Sequence, residues 1–248
     1  MLKIEVHVHT RYSKDSLLCF WPLYLNCIAR GISVIAVTEH NNIDGGLRFS
    51  EFCKKRGGRV SVIVGEEIFT SQGEIIGLFL KKAIAPGLTA KETIEQIKSQ
   101  GGVVYVPHPF DLKRQKTVLQ ESAISENKND IDCMEIHNGR NISPDFSEKQ
   151  RSIARKYSIR PVIGSDAHTL IEAGRNYMTI QNIPLCRGDF IREIENAGFV
   201  TAKCIKISHK ITIFAKLLKL IAGGNFIEIY KIFIRRIRKN FYQRSQKD

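Results

Sequence analysis

Histidines and carboxylates at recurring positions carry most of the chemical information in this 248-residue chain. Six of the seven histidines, His7, His9, His40, His108, His137 and His168, stand at or just past the C-terminal end of a short apolar run. Asp15, the Glu66-Glu67 pair and Asp166 occupy equivalent places. Residues two apart on a strand point to the same side, so His7 with His9, and Asp166 with His168, each present two donors together. One histidine at a strand end is ordinarily a satisfied structural group. Six of them interleaved with acids would be a costly set of buried polar groups unless they shared a partner. A divalent cation satisfies them all, and mixed His/Asp/Glu ligation suits zinc, manganese or iron. The six cysteines form no Cys-x-x-Cys pair, which argues against a thiolate zinc knuckle or a disulfide framework. The pattern predicts a multinuclear metal site.

The elements that must position these groups follow from the apolar runs. Strand candidates are Lys3–Val8, Ser33–Thr38, Ser61–Gly65, Ile75–Leu80, Val103–Val106, Asp132–Ile136 and Pro161–Gly164, with an eighth at Tyr177–Ile180. Runs such as Val34-Ile35-Ala36-Val37 are apolar at every position, as expected of strands covered on both faces of a parallel sheet. Helical periodicity falls between them at Trp21–Arg30, Gly45–Arg56, Thr89–Gln100, Ser147–Tyr157 and Arg187–Ala197, with a capping box at Thr89 and Glu92. This alternation predicts a β/α barrel or an open doubly wound sheet, and in a barrel the strand ends bearing the histidines meet at one face. The polar stretch Asp111–Asp130 reads as a long loop over the mouth.

The ordered motifs resemble those of the polymerase and histidinol phosphatase (PHP) family. They are His7-Val8-His9-Thr10 with Ser13 and Asp15-Ser16, Thr38-Glu39-His40-Asn41, Gly65-Glu66-Glu67, Pro107-His108-Pro109 and Gly164-Ser165-Asp166-Ala167-His168. The match covers roughly residues 1–200. The resemblance implies a distorted seven-stranded β/α barrel of TIM type and a hydrolase with two or three divalent ions. It implies that His7, His9, Glu67 and Asp166 hold the first ion, that Glu67 bridges to a second held by His108, and that Asp15, His40 and His168 hold a third. The motif Gly-x-Glu selects Glu67, which leaves Glu66 as a supporting or solvent-facing acid. Two positions depart from the pattern. Glu74 stands where many members have a histidine and is taken as a ligand in its place. Glu39 replaces the usual aspartate, and its extra methylene bears on how His40 is oriented. His137 is a possible further ligand or supporting group. Arg114 and Arg140, on loops after ligand-bearing strands, are candidate phosphate contacts. Ser13 and Ser165 read as turn residues.

The function implied is hydrolysis of a small phosphorylated metabolite or nucleotide by a metal-activated water. The alternatives are an exonuclease on short nucleic acids and a catalytically silent metal-binding module serving a partner. The net charge of +13 is concentrated at the C-terminus, where residues 201–248 carry twelve Lys/Arg against Glu228 and Asp248. There, apolar residues at helical spacing alternate with lysines and arginines. The chain thus divides into a barrel over 1–200 and a basic amphipathic helical segment over 201–248. That segment suits peripheral contact with an anionic membrane or nucleic acid, or packing on the barrel itself. No run is suited to crossing a bilayer, and the expected location is cytoplasmic, with peripheral membrane attachment as an option.

Overall fold

A computed structural model describes residues 1–110, 117–232 and 234. Nine strands form one curved sheet: β1 (Leu2–Val8), β2 (Ile32–His40), β3 (Ser61–Thr70), β4 (Gly73–Leu78), β5 (Val103–Val106), β6 (Cys133–Asn138), β7 (Arg160–Gly164), β8 (Tyr177–Ile180) and β9 (Gly198–Val200). The order across the sheet is β7-β6-β5-β4-β3-β2-β1-β8-β9. The helices are α1 (Phe20–Arg30), α2 (Asp44–Lys54), α3 (Ala90–Ser99), α4 (Glu121–Asn127), α5 (Pro144–Lys156), α6 (Arg187–Glu195) and α7 (Lys206–Ala222). The helix α3 starts at the expected capping box, with Thr89 and Glu92 each bonding the other's backbone.

The sheet is barrel-like and nearly closed, with nine strands among the described residues where the resemblance implied seven. The first strand explains the seam. Its opening residues Leu2–Ile4 pair antiparallel with β8, while its last turn inward is bridged to the segment after β7 through Val8 and Ala167. His9 N–H donates to Ala167 O at 2.8 Å, and Ala167 N–H donates to His7 O at 3.2 Å. Val8 lies between His7 and His9, and Ala167 between Asp166 and His168. The closing bridge therefore clamps the two donor pairs to each other.

Two further expectations are corrected. Strand β4 runs antiparallel to both neighbours, joined to β3 by the tight turn at Ser71-Gln72, so Glu74 enters from the start of its strand and not the end. The reversal still brings it to the same face as the C-terminal ends of β3 and β5. The stretch 111–130 is not one loop, because α4 occupies Glu121–Asn127 and packs Ala123 and Ile124 into the core.

The central strands are apolar in both directions, and Val34, Ile35, Ala36 and Val37 are all fully buried. Alternate residues divide between the inside of the barrel and the helical layer: Val34 and Ala36 pack with Val6 and Tyr105, whereas Ile35 and Val37 pack with Leu23 and Phe49 of α1 and α2. Burial of that many Val/Ile side chains, each contributing roughly 1.5–3 kcal/mol, gives the barrel a rigid rim on which polar groups can be held.

Candidate metal centre

Seven of the expected ligands converge on one point of the rim. His7 Nε2 and His9 Nε2 approach to 3.1 Å. They lie 3.8 and 3.6 Å from Asp166 Oδ1. Glu67 stands at the centre: Oε1 is 2.9 Å from His108 Nε2 and 3.6 Å from His7 Nε2, while Oε2 is 3.0 Å from His40 Nδ1 and 3.3 Å from His9 Nε2. Glu74 reaches the same region, 3.5 Å from His108 and 4.0 Å from His40. On the far side, Asp15 Oδ1 lies 3.3 Å from His168 Nε2 and 3.5 Å from His40 Nε2. Three overlapping donor triplets result: His7, His9 and Asp166; His40, Glu67 and Glu74; His9, His40 and His168.

Backbone conformation at this rim departs from ordinary strand geometry. His108 and Asp166 have φ of 29° and 51°, in the left-handed region that non-glycine residues rarely occupy. Such conformations cost on the order of 1–3 kcal/mol each and persist where surrounding structure holds them. Here the closing bridge and the short Pro107-His108-Pro109 turn do so.

Each histidine of the first pair is oriented by a buried glutamate. His7 Nδ1 donates to Glu135 Oε1 at 2.7 Å, and the same carboxylate accepts from Tyr105 Oη, His108 N–H and Asn138 Nδ2. His9 Nδ1 lies 3.0 Å from Ser13 Oγ, which donates to Glu39 and accepts from His40 N–H. Both Nε2 atoms are thereby left as donors toward the shared point. Space for the two glutamates comes from glycine. A Cβ on Gly164 would fall 2.0 Å from Glu135 Oε1, and one on Gly45 would fall 2.0 Å from Glu39 Oε1. The longer side chain of Glu39 is accommodated in this way and acts on Thr10 and Ser13, reaching His40 through the Ser13 hydroxyl. Glu135 and the role of Ser13 escape a reading based on strand-end histidines. The available signal was a lone acid inside the apolar run Cys133-Met134-Glu135-Ile136.

The electrostatics match a cation site. Burial alone would raise the pKa of Glu67, but His40 and His7 hold it well below the usual carboxylate range. Burial likewise opposes ionisation of Asp15, and His168 and His40 overcome it. Burial disfavours a charged His7, yet Glu135, Glu67 and Asp166 keep its proton well above the ordinary range. His9 moves the other way, pushed down by burial and by His168 and His40. Glu67 Oε2, His40 Nδ1 and Asp15 Oδ1 are buried without a well-formed hydrogen bond among the described residues. Facing nitrogens, ionised carboxylates and oriented imidazoles fit divalent metal ions, which would displace the proton on His7.

The remaining candidates lie elsewhere or differ in role. His137 does not join the cluster. A register shift in β6 between Glu135 and His137 breaks the two-residue alternation, so Glu135 points inward and His137 turns to Ser147 Oγ at 3.0 Å. Glu66 is buried and not solvent-facing, accepting from Ile84 N–H at 2.9 Å on the opposite side of β3 from Glu67. Arg140 is buried, with its guanidinium held by Glu172 at 3.3 Å, His168 Nδ1 at 3.0 Å and Thr212 Oγ1 at 2.8 Å. Arg114 lies outside the described residues. The helix α7 crosses the mouth: Thr212 meets Arg140, and Lys219 Nζ donates to the carbonyls of Arg11 and Ser13. Between helix and rim is a cavity of about 340 Å³, lined by Lys14, Asp15, His40, Arg140, His168 and Lys216 among others. A larger cavity of about 670 Å³ near Val60, Lys81 and Leu185 has no histidine or carboxylate in its lining.

Comparison with known proteins agrees with this arrangement. The PHP domain model matches residues 5–244. An uncharacterized protein of Methanocaldococcus jannaschii is 31% identical over 220 residues, spanning 88% of this chain and 86% of its own. Among solved structures, a two-domain Bacteroides vulgatus protein containing a predicted PHP-like metal-dependent phosphoesterase superposes with TM-score 0.62 at 18% identity. That match covers 80% of this chain and 65% of the other. The lesion-specific endonuclease of Pyrococcus furiosus gives TM-score 0.55 at 16% identity, covering 80% and 57% respectively. At these identities the two structures speak to the fold.

Proposed function

The chain belongs to the PHP domain family, and from that premise we propose that it is a metal-dependent phosphoesterase acting on a small phosphorylated substrate. The observation that carries the reading is the position of Glu67, whose Oε1 lies 2.9 Å from His108 Nε2 and whose Oε2 lies 3.3 Å from His9 Nε2. A carboxylate so placed can bridge two ions, with His7, His9 and Asp166 completing one site and His108 and Glu74 the other. Asp15, His40 and His168 would hold a third. Divalent ions bound there supply an acidified water as nucleophile and neutralise phosphoryl oxygens.

The chain's own residues do the rest. Glu135 and the Glu39–Ser13 pair hold His7 and His9 in the tautomer that presents Nε2. His168 Nδ1 donates to the Asp166 carbonyl at 2.9 Å, which leaves Nε2 facing Asp15, and Arg140, its charge neutralised by Glu172, packs beside that ring as a positioning residue. Lys14 and Lys216 flank the cavity from opposite sides and can meet a phosphate monoanion or dianion. The cavity is at the small end of the range for ligand pockets, about 300–1,000 Å³, and α7 roofs it, which favours a metabolite or mononucleotide over a polymer.

The test is chelation and add-back. Chelator-treated protein is assayed on a panel of sugar phosphates, nucleoside monophosphates and short single-stranded DNA, then reassayed with Mn²⁺ or Zn²⁺. Hydrolysis of small monoesters should vanish and return with metal. Cleavage of DNA in preference to every small ester would overturn the substrate class.

A further inference from the structure

The helix α7 is amphipathic in the reverse sense to an ordinary surface helix. Its barrel-facing side is small or polar: Ser208 and Ala215 are buried, Thr212 meets Arg140, and Lys219 reaches the Arg11 and Ser13 carbonyls. Its outward side carries Ile207, Ile211, Phe214, Leu218 and Ile221, spaced four, three, four and three residues apart. These five are between 38% and 59% exposed. A helix on a globular protein normally turns such a stripe inward, and contiguous exposed apolar patches mark contact with something else. The next turn extends the patch through Phe226, Ile227 and Tyr230, which are more exposed still.

We propose that the outward face of α7 is a docking surface for an anionic lipid membrane. Charge selects the partner. Lys203, Lys206, Lys210 and Lys231 are exposed around the stripe, and Glu228 is the lone acid between residues 201 and 234. A second copy of the helix would bring like charges together. The sequence beyond it adds Arg235, Arg236, Arg238 and Lys239 to the positive charge of this end of the chain. Nucleic acid could use the lysines but would leave the apolar stripe in water. An anionic bilayer accepts both: the side chains enter the headgroup boundary while the lysines meet acidic headgroups. No helix among the described residues is long and apolar enough to cross a membrane, so the contact is interfacial. Because the opposite side of the same helix roofs the cavity, docking holds the cavity mouth beside the lipid surface. The proposal goes beyond the phosphoesterase reading and stands without it.

The experiment is co-sedimentation of full-length protein with phosphatidylcholine vesicles, with and without phosphatidylglycerol, for the wild type and for Phe214→Asp/Leu218→Asp. Both side chains are exposed, and the variant is compared only after circular dichroism has been used to check that it folds. The wild type should bind the anionic vesicles only, with affinity falling as salt rises. The double variant should lose on the order of 100-fold or more in partitioning, since each substitution withdraws an apolar group and adds a repelled charge. Equal binding by the variant would reduce the effect to lysine charge and overturn the proposal. So would absence of vesicle binding, whether the protein then proves dimeric by light scattering, with the variant dissociating the dimer, or is captured by duplex DNA. Sedimentation does not depend on turnover, so a failed phosphoester assay leaves this result interpretable.

Discussion

Glu66 and Glu67 are neighbours on β3, equally withdrawn from water, and their carboxyl groups are driven in opposite directions. Glu66 has one backbone donor, Ile84 N–H, and burial pushes its pKa up to about 7. Glu67 is pulled well below the usual range, against its own burial, by His40 and His7. Glu5, two residues before His7 on β1, follows Glu66: burial pushes it up to about 7 with Gly174 N–H as its backbone donor. The rim and the layer beneath it thus contain the same residue type, withdrawn from water in both, with its pKa raised in one and lowered in the other. Burial by itself raises a carboxyl's pKa toward neutrality. Convergence of several oriented histidines makes an anion that can hold a cation.

That contrast can be sharpened first at the rim. Glu135→Gln removes the charge that commits the proton to His7 Nδ1 while keeping the side chain's size. Loss of such an orienting carboxylate typically lowers metal affinity about 10–100-fold. Competition with a chelating dye should read this loss, and an unchanged affinity would show that the His7 tautomer is set elsewhere. A pH-dependent effect is expected beneath the rim. A carboxyl raised in the folded state contributes stability that is fully present below its unfolded pKa and lost as pH rises through its folded value. For Glu5 the window runs from its ordinary value of 4.5 to about 7. Glu5→Gln should therefore gain on the wild type as pH rises, by at most about 3 kcal/mol across the window. Thermal melts at about pH 5 and about pH 8 measure it, and a pH-independent gap would mean that Glu5 ionises normally in the fold.

Much of this site is legible from residue type and spacing. Histidines two apart on β1 and the Asp166/His168 pair obey strand alternation, and the closing Val8–Ala167 bridge needs no special residues to form. The roles of the β6 residues are illegible by the same rule, because a register shift between Glu135 and His137 reverses which residue faces inward. Ser13 looks like a turn residue because it is one, and its link to Glu39, His9 and His40 appears only when β2 and the β1–α1 loop meet. The antiparallel course of β4 is set by the two-residue connection Ser71-Gln72, too short for the crossover a parallel strand requires. The placement of α7 is hardest to foresee. Periodicity says which residues share a face, but the usual rule turns the apolar face inward, and here Ser208 and Ala215 occupy the contact.

Glu67 is the carboxylate shared across the proposed centre, and its neighbour provides the control. Wild type, Glu67→Gln and Glu66→Gln should be loaded with Mn²⁺ and compared for hydrolysis of whichever monoester the panel identifies. Glu67→Gln should lose on the order of a thousandfold in turnover, roughly 4 kcal/mol of transition-state stabilisation. Glu66→Gln should lose less than about tenfold, because it keeps an acceptor for Ile84 N–H and faces away from the cluster. Equal losses in the two variants, or a loss confined to Glu66→Gln, would contradict the account.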